Sequence, residues 1–161
     1  MASLIDSFAN LIVKCPDCSF VLISHDFRAE VDDREPLKKV FNKLDSESKA
    51  RVFFISQSIR ASEVKEICRN LDGVVTGRMH LAIAALGMKT PILGIVYQGK
   101  FEGTLSYFEM DEDCTLTPKI AANYEGLIVR FRRWQSQRDE LVKRIDKNIE
   151  KVIKLSKSNF E

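Results

Sequence analysis

Four short apolar runs punctuate this chain, at residues 20–24, 52–56, 73–76 and 92–97, with an amphipathic helical pattern between each pair. Runs that are apolar at every position, not at alternate ones, suit strands buried on both faces, as in a parallel sheet. The chain therefore reads as α/β: a Rossmann-like parallel sheet with helices on both faces. Leu4, Ile5, Phe8, Ala9 and Ile12 recur at helical spacing and predict a first helix ending near Pro16. Pro36, behind Asp32 and Asp33, marks the next start, with Leu37, Val40, Phe41 and Leu44 as the inner stripe. Ala61, Val64, Ile67, Cys68 and Leu71 line a third helix, whose first turn offers Ser62 and Glu63 as cap and dipole partner. A fourth covers the small apolar residues 81–86, with Gly87 and Pro91 as punctuation. Phe101, Leu105 and Phe108 suggest a short fifth.

Residues 119–161, behind Thr117 and Pro118, read as a C-terminal helical region, either one helix or two with a break near 132–136. Ile120, Tyr124, Leu127, Ile128 and Phe131 are its first inward face, and Leu141, Ile145, Ile149 and Val152 its second. A doubly wound domain usually opens on a strand, whereas this pattern opens on a helix. The expectation is a single Rossmann-like domain over residues 1–161 that is a fragment of a longer, two-domain protein.

Composition narrows the function classes. A chain of 161 residues is large enough to bury a core without disulfides or metal. Its 45% hydrophobic and 30% charged residues are those of an ordinary globular protein. A formal net charge of +2 falls short of the basic footprint of a nucleic-acid binder, so no nucleic-acid partner is expected. No apolar run reaches bilayer length and the N-terminus lacks a signal-peptide core, so a cytoplasmic protein is expected, free or peripheral at the inner face of the membrane.

Cys15-Pro-Asp-Cys18 has redox or half-zinc-site spacing. It precedes a strand, however, where a thioredoxin-type pair follows one. Cys68 and Cys114 are separate and supply no second ligand pair. Reduced thiols at a helix-to-strand turn are the favoured reading, with no metal. The basic run from Arg130 to Arg133, with Arg138, Lys143 and Arg144, reads as a solvated helix face before it reads as a lipid or polyanion contact. Trp134 reads as a packing residue and the acidic cluster at 111–113 as an exposed turn.

The turn Gly77-Arg78-Met79-His80 carries the chemistry. It joins the third apolar run to the small-residue helix, where an open α/β sheet binds ligands and free helix N–H groups attract anions. Arg78 suits a carboxylate or phosphate through paired charge-assisted hydrogen bonds. His80 is able to exchange a proton near neutral pH. Lys100 follows the fourth run and His25 the first. If these strands are parallel and adjacent, their ends deliver His25, Arg78 with His80, and Lys100 to one rim, a pocket for a small doubly anionic ligand. Taken singly, each has an ordinary structural alternative as an ion-pair or capping residue.

Residues 62–67, the Gly77-Arg78-Met79-His80 turn with its helix, the proline-led strand from Pro91, and Tyr97-Gln-Gly-Lys100 together resemble the polysaccharide pyruvyl transferase family. The resemblance is good over about residues 20–110 and general beyond. It implies the C-terminal domain of a GT-B-type, two-Rossmann-domain transferase of bacterial exopolysaccharide biosynthesis, with phosphoenolpyruvate as donor and no further cofactor. It also implies transfer of the pyruvyl group, as a ketal, to a sugar or lipid-linked saccharide acceptor. Gly77, Arg78, the Met79 backbone and Lys100 would hold the donor, His80 would protonate the enol carbon, and His25 would be a further polar group. An N-terminal domain supplying the acceptor site and a base is implied as a partner, leaving this chain alone inactive. The donor half of a glycosyltransferase using a nucleotide sugar is the runner-up, and a non-catalytic interaction domain docking through its last helix is a third reading.

Overall fold

The computed structural model describes residues 2–97, 100–110 and 112–158, the side chains of Ala2, Lys100 and Glu102 excepted. The architecture is α/β and Rossmann-like, with parallel strands in open sheets flanked by helices. The chain divides into two compact units, one built from the chain up to Ile59 with Lys119–Val129, the other from Arg60–Pro118 with the chain from Arg130 onward.

In the first unit, helix α1 (Ala2–Lys14) leads into strand β1 (Phe20–Ile23), helices α2 (Arg34–Asn42) and α3 (Ser46–Lys49), and strand β2 (Val52–Ile55). β1 and β2 are parallel, with Phe20 opposite Val52 and Ile23 opposite Ile55. Ile5, Ala9 and Ile12 of α1 share a core with Val40, Leu44 and Val52, against which Phe20 and Leu22 pack. Each isoleucine, leucine or valine buried there contributes roughly 1.5–3 kcal/mol. Arg51 closes the C-terminal end of α1, its guanidinium donating to the carbonyls of Cys15 (2.9 Å), Cys18 (2.7 Å) and Ile12. A cation thus meets the negative end of a helix and satisfies its orphan carbonyls. The Cys15–Cys18 segment is that helix-to-strand turn, with Cys15 buried, Cys18 half-buried and neither in a disulfide.

The short α3 has no counterpart in the apolar periodicity, because four residues are too few to show one. Its Asp45 carboxylate accepts the Ser48 N–H at 2.7 Å, and that bond holds the Asp45 pKa below its usual value.

The second unit begins with α4 (Ala61–Arg69) and continues through β3 (Val74–Thr76), α5 (Met79–Gly87), β4 (Ile92–Ile95), α6 (Lys100–Ser106) and β5 (Thr115–Leu116). The strands form a parallel sheet in the order β3-β4-β5, with Thr76 opposite Gly94 and Ile95 opposite Leu116. α5 buries Leu81, Ala82, Ala85 and Leu86. Two glycines make room for aromatic rings: a Cβ on Gly94 would lie 2.7 Å from Phe101 Cδ1, and one on Gly73 the same distance from Trp134 Cζ2. The Phe101 ring therefore fixes the start of α6 over β4.

The C-terminal region is α7 (Pro118–Ala121), α8 (Tyr124–Ser136) and α9 (Arg138–Lys157), so the break falls at Gln137, just beyond the expected interval. Leu141, Ile145 and Ile149 are buried as the spacing predicts, but Tyr124 is exposed. Gly87 does not end α5 as a glycine cap; it lies within the helix, and Lys89 takes the left-handed conformation at φ 66°. Asp113 is not a free loop carboxylate either, since it pairs with Arg130 (2.9 Å) and Arg133 (2.6 Å). Lys147 likewise pairs with Glu109 at 2.8 Å, depressing the Glu109 pKa. Part of the basic surface is thus spent on internal acidic partners.

Candidate functional site

β3 and β4 run side by side and end together, so the segments that leave them share one edge of the second unit. Thr76, buried at the end of β3, accepts the Arg78 N–H through Oγ1 at 2.9 Å, which turns the chain toward α5. Arg78 is the residue before the helix, extended at φ −96° and ψ 113° and half-buried. The first intrahelical bond runs from the Ala82 N–H to the Arg78 carbonyl at 3.0 Å. The N–H groups of Met79, His80 and Leu81 therefore have no acceptor within the helix.

This helix start differs from that of α4. At α4, the Glu63 carboxylate reaches back to accept the Arg60 N–H at 2.6 Å. At α5, the first turn holds no acidic residue and no side chain caps it. The first turn of α5 thus brings no carboxylate to the positive end of its dipole, which has Arg78 beside it.

Around that turn, Tyr97 comes off the end of β4, is exposed, and has its ring 3.9 Å from where a Gly77 Cβ would be. Gly77 itself is not demanded by packing, as its nearest neighbours would be at ordinary van der Waals distance. The Met79 side chain turns to α6, where the Thr104 hydroxyl donates to its sulfur at 3.6 Å, leaving only the Met79 backbone at the turn. His80 is exposed on the first turn of α5. Lys100 heads α6, and its side chain lies outside the described residues, as do Gln98 and Gly99.

His25 belongs to the first unit, half-buried at the end of β1. Its N–H and that of Asp26 both donate to Asp33 Oδ2, at 3.2 and 2.9 Å. β1 is hydrogen-bonded to β2 and, among the described residues, to no strand of the β3-β4-β5 ladder. One ladder therefore brings together the Arg78 turn, Tyr97 and the start of α6, while His25 stands on another. Thr76 and Tyr97 are the additions to the residues singled out in the sequence; Tyr97 was legible in the Tyr-x-x-Lys pattern, whereas nothing distinguished Thr76 from any strand threonine. The first unit has a cavity of about 610 Å³ bordered by Lys38, Phe41, Asn42, Phe54 and Ser56, to which the Arg78 turn contributes nothing. Among the described residues, no group of three or more His, Cys, Asp or Glu is placed to hold a metal ion.

The family model for polysaccharide pyruvyl transferase matches residues 4–99, more than half of the chain. This chain belongs to the polysaccharide pyruvyl transferase family. The match takes in His25, the whole Arg78 turn and Tyr97, and stops one residue short of Lys100. No curated protein and no solved structure matches the chain. As a member of a pyruvyl transferase family it is assigned to the transferases, and no helix among its described residues is long and apolar enough to cross a membrane.

Proposed function

We propose that the Arg78 turn binds phosphoenolpyruvate and that the chain is the donor-binding half of a pyruvyl transferase in a GT-B-type pair of Rossmann domains. The observation that carries this reading is the α5 N-terminus: three free N–H groups, no acidic residue in the first turn, and a half-buried arginine immediately before it. A small trianion matches that arrangement. Arg78 takes the carboxylate or the phosphate through paired hydrogen bonds, and the Met79 to Leu81 amides take the other group. Tyr97 flanks the site, and Lys100, the residue before the fixed Phe101, supplies a second cation. His25 is kept as a further polar group on the donor side.

His80 is the acid in this scheme. Protonation of the methylene carbon of the donor gives an oxocarbenium centre at C2, which one acceptor hydroxyl attacks. Phosphate then leaves C2 and the second hydroxyl closes the ketal. Each hydroxyl gives up its proton; one replaces the proton used at the methyl group, and the other is carried away with inorganic phosphate. The charge that grows on the departing phosphate is what Arg78 and the helix amides stabilise. The acceptor is a sugar, free or lipid-linked, of a bacterial surface polysaccharide made on the cytoplasmic side. A second domain holds it and supplies the base, so this chain alone binds donor without turnover.

Calorimetric titration with phosphoenolpyruvate and with a panel of nucleotide sugars tests the reading. Saturable binding of phosphoenolpyruvate that Arg78→Ala weakens is expected. Saturable binding of a nucleotide sugar alone would replace it with a glycosyltransferase donor site.

A further inference from the structure

One residue, Gly77, stands between the end of β3 and the arginine that precedes α5. It has no side chain to restrict its dihedral angles. A Cβ there would meet Ile95 and Tyr97 at 3.7 and 3.9 Å, ordinary contact distances, so packing does not hold this joint. Thr76 does. Its side chain is buried opposite Gly94 in the parallel pair, and its Oγ1 accepts the Arg78 N–H at 2.9 Å. A hydroxyl that accepts the N–H two residues on closes a small ring over the residue between. The backbone rotations of Gly77 lie inside that ring.

The other side of Arg78 is held by the helix, where its carbonyl accepts the Ala82 N–H at 3.0 Å. The peptide groups flanking the Arg78 Cα are therefore both fixed, the first from the sheet and the second from α5. Together they keep Arg78 extended at φ −96° and ψ 113°, which sets the direction in which its side chain leaves the backbone. Direction matters more for arginine than for lysine, because the planar guanidinium makes its paired bonds only when aligned with the carboxylate or phosphate. The side chain is also long, so a small rotation at Gly77 becomes a larger displacement at its tip.

We propose that Thr76 is a positioning residue for the anion receptor. Its hydroxyl locks the Gly77 joint so that the Arg78 guanidinium meets the donor in one orientation, and Thr76, buried in the strand, acts through Arg78 and not on the ligand. This rests on the reading that the Arg78 turn binds phosphoenolpyruvate. Valine keeps the shape and β-branching of threonine but offers no acceptor, whereas serine keeps the hydroxyl and loses the methyl group.

Calorimetric titration of the chain with phosphoenolpyruvate, for the wild type, Thr76→Val, Thr76→Ser, Arg78→Ala and the Thr76→Val/Arg78→Ala pair, tests the proposal. Thr76→Val should weaken binding by about 5- to 10-fold, and Thr76→Ser should stay within about twofold of the wild type. With Ala at position 78, Thr76→Val should change affinity by less than about twofold, since the group it orients is gone. A general structural loss would instead multiply the two effects. Amide hydrogen exchange on the ligand-free wild type needs no variant: the Arg78 N–H should exchange at least about 10-fold more slowly than those of Met79 and His80, which have no acceptor within the helix. The proposal is overturned if Thr76→Val binds like the wild type, if Thr76→Ser loses as much as Thr76→Val, if the loss persists beside Arg78→Ala, or if the Arg78 amide exchanges as fast as its neighbours. Failure of the wild type to bind phosphoenolpyruvate would overturn the donor reading and this proposal with it, whereas wild-type binding that Thr76→Val leaves intact overturns this proposal alone.

Discussion

Helices α4 and α5 both follow a parallel strand of this protein, yet their N-termini are finished in opposite ways. α4 supplies its own carboxylate, with Glu63 closing on the Arg60 N–H. α5 has buried leucine where α4 has Glu63, counting three residues on from the arginine that precedes each helix, and no acidic residue elsewhere in its first turn. The first brings a carboxylate to the positive end of its dipole and the second does not, which makes the α5 start the more favourable of the two for an external anion.

The contrast is broken most severely at His80. In the assembled transferase, His80→Gln should lower turnover by about 10²- to 10⁴-fold, the usual range for a lost general acid, with donor affinity nearly unchanged. Steady-state kinetics beside calorimetry separates the two effects, and a loss of affinity alone would make His80 a binding residue. Arg78→Ala should weaken phosphoenolpyruvate binding by about 30-fold, equivalent to about 2 kcal/mol. Arg60→Ala, at the matching position of α4, should leave it within about twofold. Equal losses from both would mean that the two helix starts are not distinct.

Smaller effects sharpen the scaffold side. Glu63→Ala should destabilise the fold by about 0.3–1 kcal/mol in urea denaturation without touching donor affinity. Asp45, which caps α3, predicts a pH signature. Its folded pKa is depressed by the Ser48 N–H, so its contribution is present above the unfolded value of about 3.9 and disappears as pH falls through the lower folded value. Asp45→Asn caps without titrating and should flatten that part of the stability profile. Lys89→Gly, at φ 66°, should stabilise by about 0.5–1 kcal/mol, seen as a raised melting temperature. Its exposed pair with Asp146 offsets little of this.

Strands and helices with a long enough pattern were legible in the sequence: residues 20–24 and 52–56 as strands, and the stripes of α1, α2 and α9. The two-residue β5 and the four-residue α3 were not, because neither spans a period. The expected stop at Gly87 failed for a different reason: backbone bonds from Met88, Lys89 and Thr90 back into α5 close the turn two residues later, and tertiary context puts a lysine in the left-handed position. At the site, the sequence placed the Arg78 turn at a strand-to-helix junction correctly. Continuous apolar runs announce parallel, covered strands but do not say which are neighbours. Placing His25 on the same rim as Arg78 rests on an adjacency that apolarity does not encode; the pairing of β1, among the described residues, is with β2. The pairing of Asp113 with Arg130 and Arg133 was equally beyond local pattern, since about twenty residues separate the partners.

The central claim is that the α5 N-terminus is an anion receptor and the α4 N-terminus is not. Titrating the isotopically labelled protein with phosphoenolpyruvate while following backbone amide shifts tests it directly. The account predicts saturable shifts at Met79, His80 and Leu81, with Ala61, Ser62 and Glu63 unmoved. Shifts centred on α4, or an α5 start that stays silent while the donor binds elsewhere, would contradict it.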